Sequence, residues 1–227
     1  MQKPVVDPAS IDLPKVEFVV LIASMMALNA LAIDIMVPAL NDIGGAFQLE
    51  TANDQQLVVF AYVLGFGAPQ LIWGPVSDRY GRRSLLLMSL IGYGLCGLAC
   101  VFATSFAGLL AARFVMGVFS SAGRVVAVSV VRDVYAGRGM AEIMSLVMTV
   151  FMVVPILAPA IGQAILFVGP WPWVFYVLVA YAGAVAIWSG FRLPETLAPQ
   201  ARLPLSFEQA FSAYLTVIKT RVAFGYV

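Results

Sequence analysis

Six apolar stretches, at about residues 16–39, 55–75, 84–104, 107–131, 141–168 and 172–193, run along this 227-residue chain. Each is close to the ~20 residues an α-helix needs to cross the hydrocarbon core of a bilayer. The segments between them carry turn chemistry: Asn41-Asp42-Ile43-Gly44-Gly45, residues 74–83, Thr104-Ser105, residues 133–139 and Gly169-Pro170-Trp171-Pro172. The pattern predicts an all-α integral membrane protein with six transmembrane helices. After Leu193 the chain turns polar, with Pro194, Glu195, Thr196 and Arg202, and then amphipathic from Leu205 to Ile218, with Glu208 and Lys219. The organisation read from this is an N-terminal segment (1–15), a six-helix bundle (16–197), and a linker (198–227) that ends in what looks like the start of a seventh helix.

Basic residues set the direction of threading. Lys3 and Lys15 precede the first span, Arg79, Arg82 and Arg83 follow the second, and Arg132 and Arg138 follow the fourth. Arg192, Arg202, Lys219 and Arg221 lie at or beyond the end of the sixth, whereas the loops after the first, third and fifth spans hold no Lys or Arg. Basic loops stay on the cytoplasmic side, so both termini are expected in the cytoplasm. Acidic Asp42, Glu50 and Asp54 fall in the first outer loop.

Composition agrees: 62% of residues are hydrophobic, 11% are charged and the mean hydropathy is +0.95, against about a quarter charged in soluble domains. A net charge of +1 gives no electrostatic case for nucleic acid. No basic start, short apolar core and small-residue cleavage site mark a signal peptide. Cys96 and Cys100, one helical turn apart in an apolar span, read as packing residues, because a zinc site usually takes four ligands. With no histidine in the chain, proton chemistry has to run on carboxylates. Neither H-E-x-x-H, G-x-S-x-G nor P-loop spacing occurs, so there are no catalytic residues to name and no metal site to expect.

Three charges remain inside the spans, and a charge there is costly enough to be a functional candidate by default. Asp34 lies in the outer third of the first helix with Pro38 one turn beyond. It is either solvated at the outer interface or a proton- or cation-binding carboxylate. Arg113, about six residues into the fourth helix, sits at a similar depth. An Asp34–Arg113 pair, direct or through water, is the expectation, serving either structure or proton coupling. Arg124 lies eleven residues further, almost on the same helical face, with Gly117, Ser120 and Ser121 near that stripe. It either snorkels to the inner surface or faces a cavity, where it would favour an anionic or electron-rich group. Met26 and Asn29 on the first helix, with Gly117, Ser121 and Arg124 on the fourth, are the cavity-lining candidates. Pro155, Pro159 and Gly162 interrupt the fifth helix, and Gly65, Gly67 and Pro69 the second; these read as packing and kinks or as gating flexibility.

The string Gly74-Pro75-Val76-Ser77-Asp78-Arg79-Tyr80-Gly81-Arg82-Arg83 resembles the signature between the second and third helices of the major facilitator superfamily. Asp34 with Pro38 looks like the D-x-x-x-P motif of its drug:proton antiporters, Arg113–Gly117 like their fourth-helix R-x-x-x-G motif, and Arg132-Asp133 like the charged end of that helix. Residues 155–162 look like the fifth-helix antiporter motif, and Leu193-Pro194-Glu195-Thr196 like the L-P-E-T that closes the sixth. The chain thus resembles, over roughly residues 16–197, the N-terminal six-helix half of the bicyclomycin/chloramphenicol-resistance type. It departs from it at Met116, where Gln is common, at Ala158-Pro159, where Gly-Pro is common, and at Gly162-Gln163, where the motif closes on Gly-Gly.

The resemblance implies half of the major facilitator fold, two inverted three-helix repeats, and no enzyme but a secondary active transporter. It implies proton-coupled efflux of small amphipathic drug-like compounds across the bacterial inner membrane, with no cofactor beyond the proton gradient. Asp34 would exchange protons and Arg113 tune it. Gly74, Asp78, Arg79, Gly81, Arg82, Arg83 and Asp133 would form the cytoplasmic gate. Family members usually have twelve helices, so the expected partner is a second copy in a parallel homodimer or a separate C-terminal half. The alternative is a truncated or non-transporting subunit.

Overall fold

In a computed structural model of the chain, the described residues are 13–51, 53–197 and 202. Their regular elements are helices: α1 (Lys15–Asp34), α2 (Leu40–Ala46), α3 (Leu57–Gly67), α4 (Gln70–Tyr80), α5 (Arg82–Val101), α6 (Phe106–Val134), α7 (Gly137–Val168) and α8 (Pro172–Arg192), with 3-10 turns at Val37–Ala39 and Asp54–Gln56. Five spans are long and apolar enough to cross a membrane, and a sixth is made by α3 and α4, which meet at a 48° bend. The all-helical six-span reading therefore holds. The segment from 205 to 218, Lys219, Arg221, Lys3 and the start of a seventh helix lie outside the described residues.

Two separators fall elsewhere than expected. Residues 41–45 are helical, and the first span breaks earlier, at Ile35–Met36. Pro38 explains it: with no N–H, it cannot donate to the Asp34 carbonyl, and its ring disfavours helical geometry at Val37. The 74–83 segment is likewise not one long turn. Helix α4 continues through Gly74 and Pro75 to Tyr80, and the chain turns only at Gly81. The second span bends instead at Ala68-Pro69. Hydropathy reports the bilayer core, whereas these helices run on beyond it.

Helix α1 is apolar all round and buried along most of its length, as expected of a central helix. It packs on α6, α7 and α8; α6 lies between α3 and α5, and α5 lies against α8. The α3–α6 crossing depends on two missing side chains. A Cβ on Gly65 would overlap the Phe114 carbonyl, and one on Gly117 would overlap the Tyr62 carbonyl. Small residues at such a crossing bring backbones together where lipid supplies no hydrophobic drive.

Candidate functional site

The break in α1 exposes backbone groups that an unbroken helix would satisfy internally. Met36 N–H, which in an α-helix would bond the Ala32 carbonyl, bonds Ile33 O instead at 3.3 Å. The Ala32 carbonyl then accepts from Arg113 Nη2 at 3.1 Å, while Arg113 Nε donates to Val58 O on α3 at 3.2 Å. Arg113 is 0% exposed. Its guanidinium lies 4.5 Å from the Tyr62 ring centroid and 5.8 Å from that of Phe175. Two carbonyls and two aromatic faces thus surround a fully buried cation.

This corrects one expectation. Among the described residues Arg113 has no carboxylate within ion-pair distance, and Asp34 makes neither an ion pair nor a hydrogen bond. Arg113 holds the backbone of the break rather than the carboxylate beside it. Asp34 itself is half-buried at the last residue of α1.

The expected antiporter segment meets the same break. In α7, Gly162 lies against Ile35: a Cβ there would overlap the Ile35 carbonyl and come within 3.3 Å of Pro38 Cγ. Pro155 and Pro159 are inside α7, where each removes a helical donor one or two turns before that contact. The structure therefore brings Asp34, Pro38 and Gly162 to one level of the bundle.

A polar chain runs inward from α1. The Tyr62 hydroxyl lies 3.2 Å from Asn29 Oδ1 and 2.8 Å from Ser120 Oγ; with one proton, it donates to the amide oxygen and accepts from the serine. Trp73 Nε1 donates to Ser121 Oγ at 2.9 Å. Met26, Asn29, Gly117 and Ser121 are all buried within the bundle, and of the five cavity candidates only Arg124 is exposed.

At the arginine-rich end Asp78, Arg82 and Asp133 meet. Arg82 is 4% exposed. It donates from Nη2 to Asp78 Oδ1 at 2.7 Å, from Nε to Asp133 Oδ2 at 2.9 Å, and from Nη1 to Ser77 Oγ. Arg83 reaches the Gly190 carbonyl on α8. Arg79 is exposed and lies over its neighbour Tyr80, and Gly74 has open space around it. Gly81 links α4 to α5 with φ +95°, a region that only glycine enters freely.

The LPET string has a role that sequence reasoning missed. Glu195 Oε1 accepts from the Arg82 backbone N–H at 2.8 Å and from Leu197 N at 3.1 Å. Glu195 thereby supplies an acceptor and a negative charge at the N-terminus of α5, where helix amides lack partners. A Cβ on Gly81 would overlap the Glu195 carboxylate. Thr196 Oγ1 donates to Asp133 Oδ2 at 3.2 Å, so the end of α8 closes on the same cluster. Two further ties were also missed. Lys15 pairs with Glu142 at 2.6 Å, and Glu17 takes both Arg192 Nε and Nη2 at 2.7 Å while accepting from Trp188 Nε1 at 3.2 Å. Opposite charges flanking apolar spans were the available signal, but nothing in the string pairs them. No group of His, Cys, Asp and Glu among the described residues could hold a metal.

Comparison with known proteins shows the family. The family model described as Major Facilitator Superfamily matches residues 21–226. An uncharacterized MFS-type transporter, YdgK of Bacillus subtilis, is 34% identical over 208 residues, 91% of this chain and 52% of the relative. A bicyclomycin resistance protein homolog of Haemophilus influenzae is 29% identical over 92% of this chain and 52% of its own length. Multidrug resistance protein D of Escherichia coli is 30% identical, with coverages of 86% and 50%. The chain spans about half the length of these relatives. Among solved structures, the human organic anion transporter MFSD10 (TETRAN) superposes with a TM-score of 0.68 at 20% identity, over 92% of this chain and 55% of that one, which shows the shared fold.

Proposed function

The chain belongs to the Major Facilitator Superfamily, and from that premise we propose that it forms one six-helix half of a proton-coupled exporter of small amphipathic drug-like compounds, of the bicyclomycin/chloramphenicol-resistance type. The resistance proteins among its relatives support the substrate class. The observation that carries proton coupling is the Asp34 carboxylate, half-buried at a helix break within a membrane span and without a counter-ion among the described residues. Taking up a proton there removes a charge from a membrane-spanning segment, a change large enough to bias a conformational equilibrium. Gly162 of α7 rests on the residue after Asp34, so α7 with its two prolines is the element that would respond.

In this reading Arg113 fixes the backbone of the break and so positions Asp34. The Asp78–Arg82–Asp133 cluster, extended by Glu195 and Thr196, braces the cytoplasmic end and governs its opening, with Arg79 on its outer side. The basic residues gathered there support an orientation with that end, and with it both termini, in the cytoplasm and the helices across a bacterial inner membrane. Alternating access would be a rocking of this unit against another six-helix unit, either a second copy in a parallel homodimer or a separate C-terminal half. The proton gradient drives the cycle without a cofactor.

A second reading, a membrane subunit that is inactive until a C-terminal half joins it, is supported by the chain's spanning about half the length of its relatives; the apolar face of α7, where Met152, Ile156 and Phe167 are 70%, 76% and 82% exposed, is one that lipid or such a half would cover. Flux assays in proteoliposomes with an imposed pH gradient and a panel of cationic, neutral and anionic drugs separate the two. Gradient-dependent flux from this chain alone supports an exporter built from two copies. Absence of flux from folded protein, regained when a C-terminal half is supplied, supports the second.

A further inference from the structure

The inward stripe of α6 runs Arg113, Gly117, Ser120, Arg124, Ala127, Val131, at alternating spacings of four and three. Such spacing keeps residues on one helical face. Its upper members face α1 and α3: Arg113 bonds Ala32 O and Val58 O, Gly117 meets the Tyr62 backbone, and Ser120 bonds the Tyr62 hydroxyl. Every member is buried except Arg124. The exposed side chain therefore leaves α6 from the bundle-facing stripe, half a turn around the helix from the exposed Val115. Arg124 lies nine residues before Asp133, about 13 Å along the axis from the charge cluster.

Arg124 has no ion pair and no hydrogen bond among the described residues; its guanidinium carbon lies 5.7 Å from the centroid of the Phe66 ring. Phe66 stands two residues before the Ala68-Pro69 bend of the second span, and Trp73, just beyond the bend, is tied to Ser121 one turn above Arg124. A cation without an ion pair among the described residues can receive an anion, and the ring beside it offers a surface for a flat apolar body.

We propose that Arg124 and Phe66 form a recognition site for the anionic group of an amphipathic ligand, a carboxylate or sulfonate carried on an apolar or aromatic body. The proposal rests on the exporter reading for its biological meaning and makes amphipathic anions and zwitterions the preferred cargo over organic cations.

The test is equilibrium binding to the full chain in phosphatidylcholine nanodiscs, with 8-anilinonaphthalene-1-sulfonate as the anionic probe and tetraphenylphosphonium as the cationic one. Arg124→Gln is expected to weaken sulfonate binding about tenfold or more, the scale of one charge-assisted contact, and to lower the ratio of anion to cation affinity. Arg124→Lys is expected to retain most of that ratio, and Phe66→Leu to weaken the sulfonate probe less than Arg124→Gln does. Three results would overturn the proposal: no saturable sulfonate binding by the parent chain, equal affinities in parent and Arg124→Gln proteins of matched thermal stability, or competitive displacement of the probe by phosphatidylglycerol, which would assign the site to a lipid headgroup. Arg124-dependent anion binding by a protein that moves no compound even when a C-terminal half is supplied would leave this inference standing and sink the exporter reading. Cation efflux by a protein whose anion binding ignores Arg124 would do the reverse.

Discussion

Replacing Arg113 by Lys is expected to destabilise the bundle at least as much as replacing it by Met. Arg113 donates to two carbonyls on different helices, Ala32 O on α1 and Val58 O on α3, and stacks on Tyr62. A lysine ammonium is a point donor that cannot reproduce the planar fork, so Arg113→Lys gives up one charged hydrogen bond, about 1.5–3 kcal/mol, and much of the stacking, about 2 kcal/mol when desolvated, yet keeps a buried charge. Arg113→Met loses both hydrogen bonds and the stacking, a gross loss of about 5–8 kcal/mol. It also relieves the burial of a cation, worth about 2.5–3.5 kcal/mol on insertion scales. The net losses overlap, about 3–5 kcal/mol for Arg113→Lys and about 1.5–5.5 kcal/mol for Arg113→Met. The assay is equilibrium unfolding in bicelles, run on both variants and on each combined with Asp34→Asn. Because no Asp34–Arg113 ion pair forms, Asp34→Asn should not rescue either variant, and any coupling runs through the shared backbone of the break. A near-neutral lysine variant beside a severely destabilised methionine variant, with Asp34→Asn rescuing the latter, would show that the charge answers Asp34 and would refute the assignment of Arg113 to the carbonyls.

Three further outcomes follow from particular contacts. Gly117→Ala should cost about 1–3 kcal/mol by overpacking the α3–α6 crossing, read as a lower melting temperature in nanodiscs, with Gly94→Ala, which meets open space, as the neutral control. Gly81→Ala should cost about 1–3 kcal/mol for the positive φ alone, in the same melting assay, and should also displace Glu195, visible as faster amide exchange at the start of α5. Glu195→Ala should cost about 0.5–2 kcal/mol, the range for losing a helix cap, whereas Glu195→Gln, which retains an acceptor for the Arg82 amide, should recover most of it in the same unfolding assay.

The spans were legible because little besides a membrane crossing calls for so long an apolar run, and the Asp78–Arg82–Asp133 convergence because the residues came with a recognisable string. What the string hid has physical causes. Pro38 was visible, but the break it makes was placed at residues 41–45, since turn-forming Asn and Gly there outweighed the backbone consequence of a missing N–H three residues earlier. A buried charge such as Arg113 invites a counter-charge, whereas the groups that receive it are two carbonyls, one inside α3 and one left without its helical donor where Met36 bonds Ile33. Carbonyls released by a break leave no mark in composition. Glu195 stood in a quoted motif, yet its partner amide is 113 residues away, a closure that only the packed bundle creates. Arg124 has two readings in the sequence, and its exposure on an otherwise buried stripe is the observation on which the anion-site proposal stands.

In the proposed cycle Asp34 couples proton movement to drug movement. The most direct test is to measure drug flux in proteoliposomes under an imposed pH gradient, and drug exchange without a gradient, for the parent protein and for Asp34→Asn. The variant is expected to lose gradient-driven flux while still exchanging drug across the membrane at equal pH. Undiminished gradient-driven flux in Asp34→Asn would contradict it.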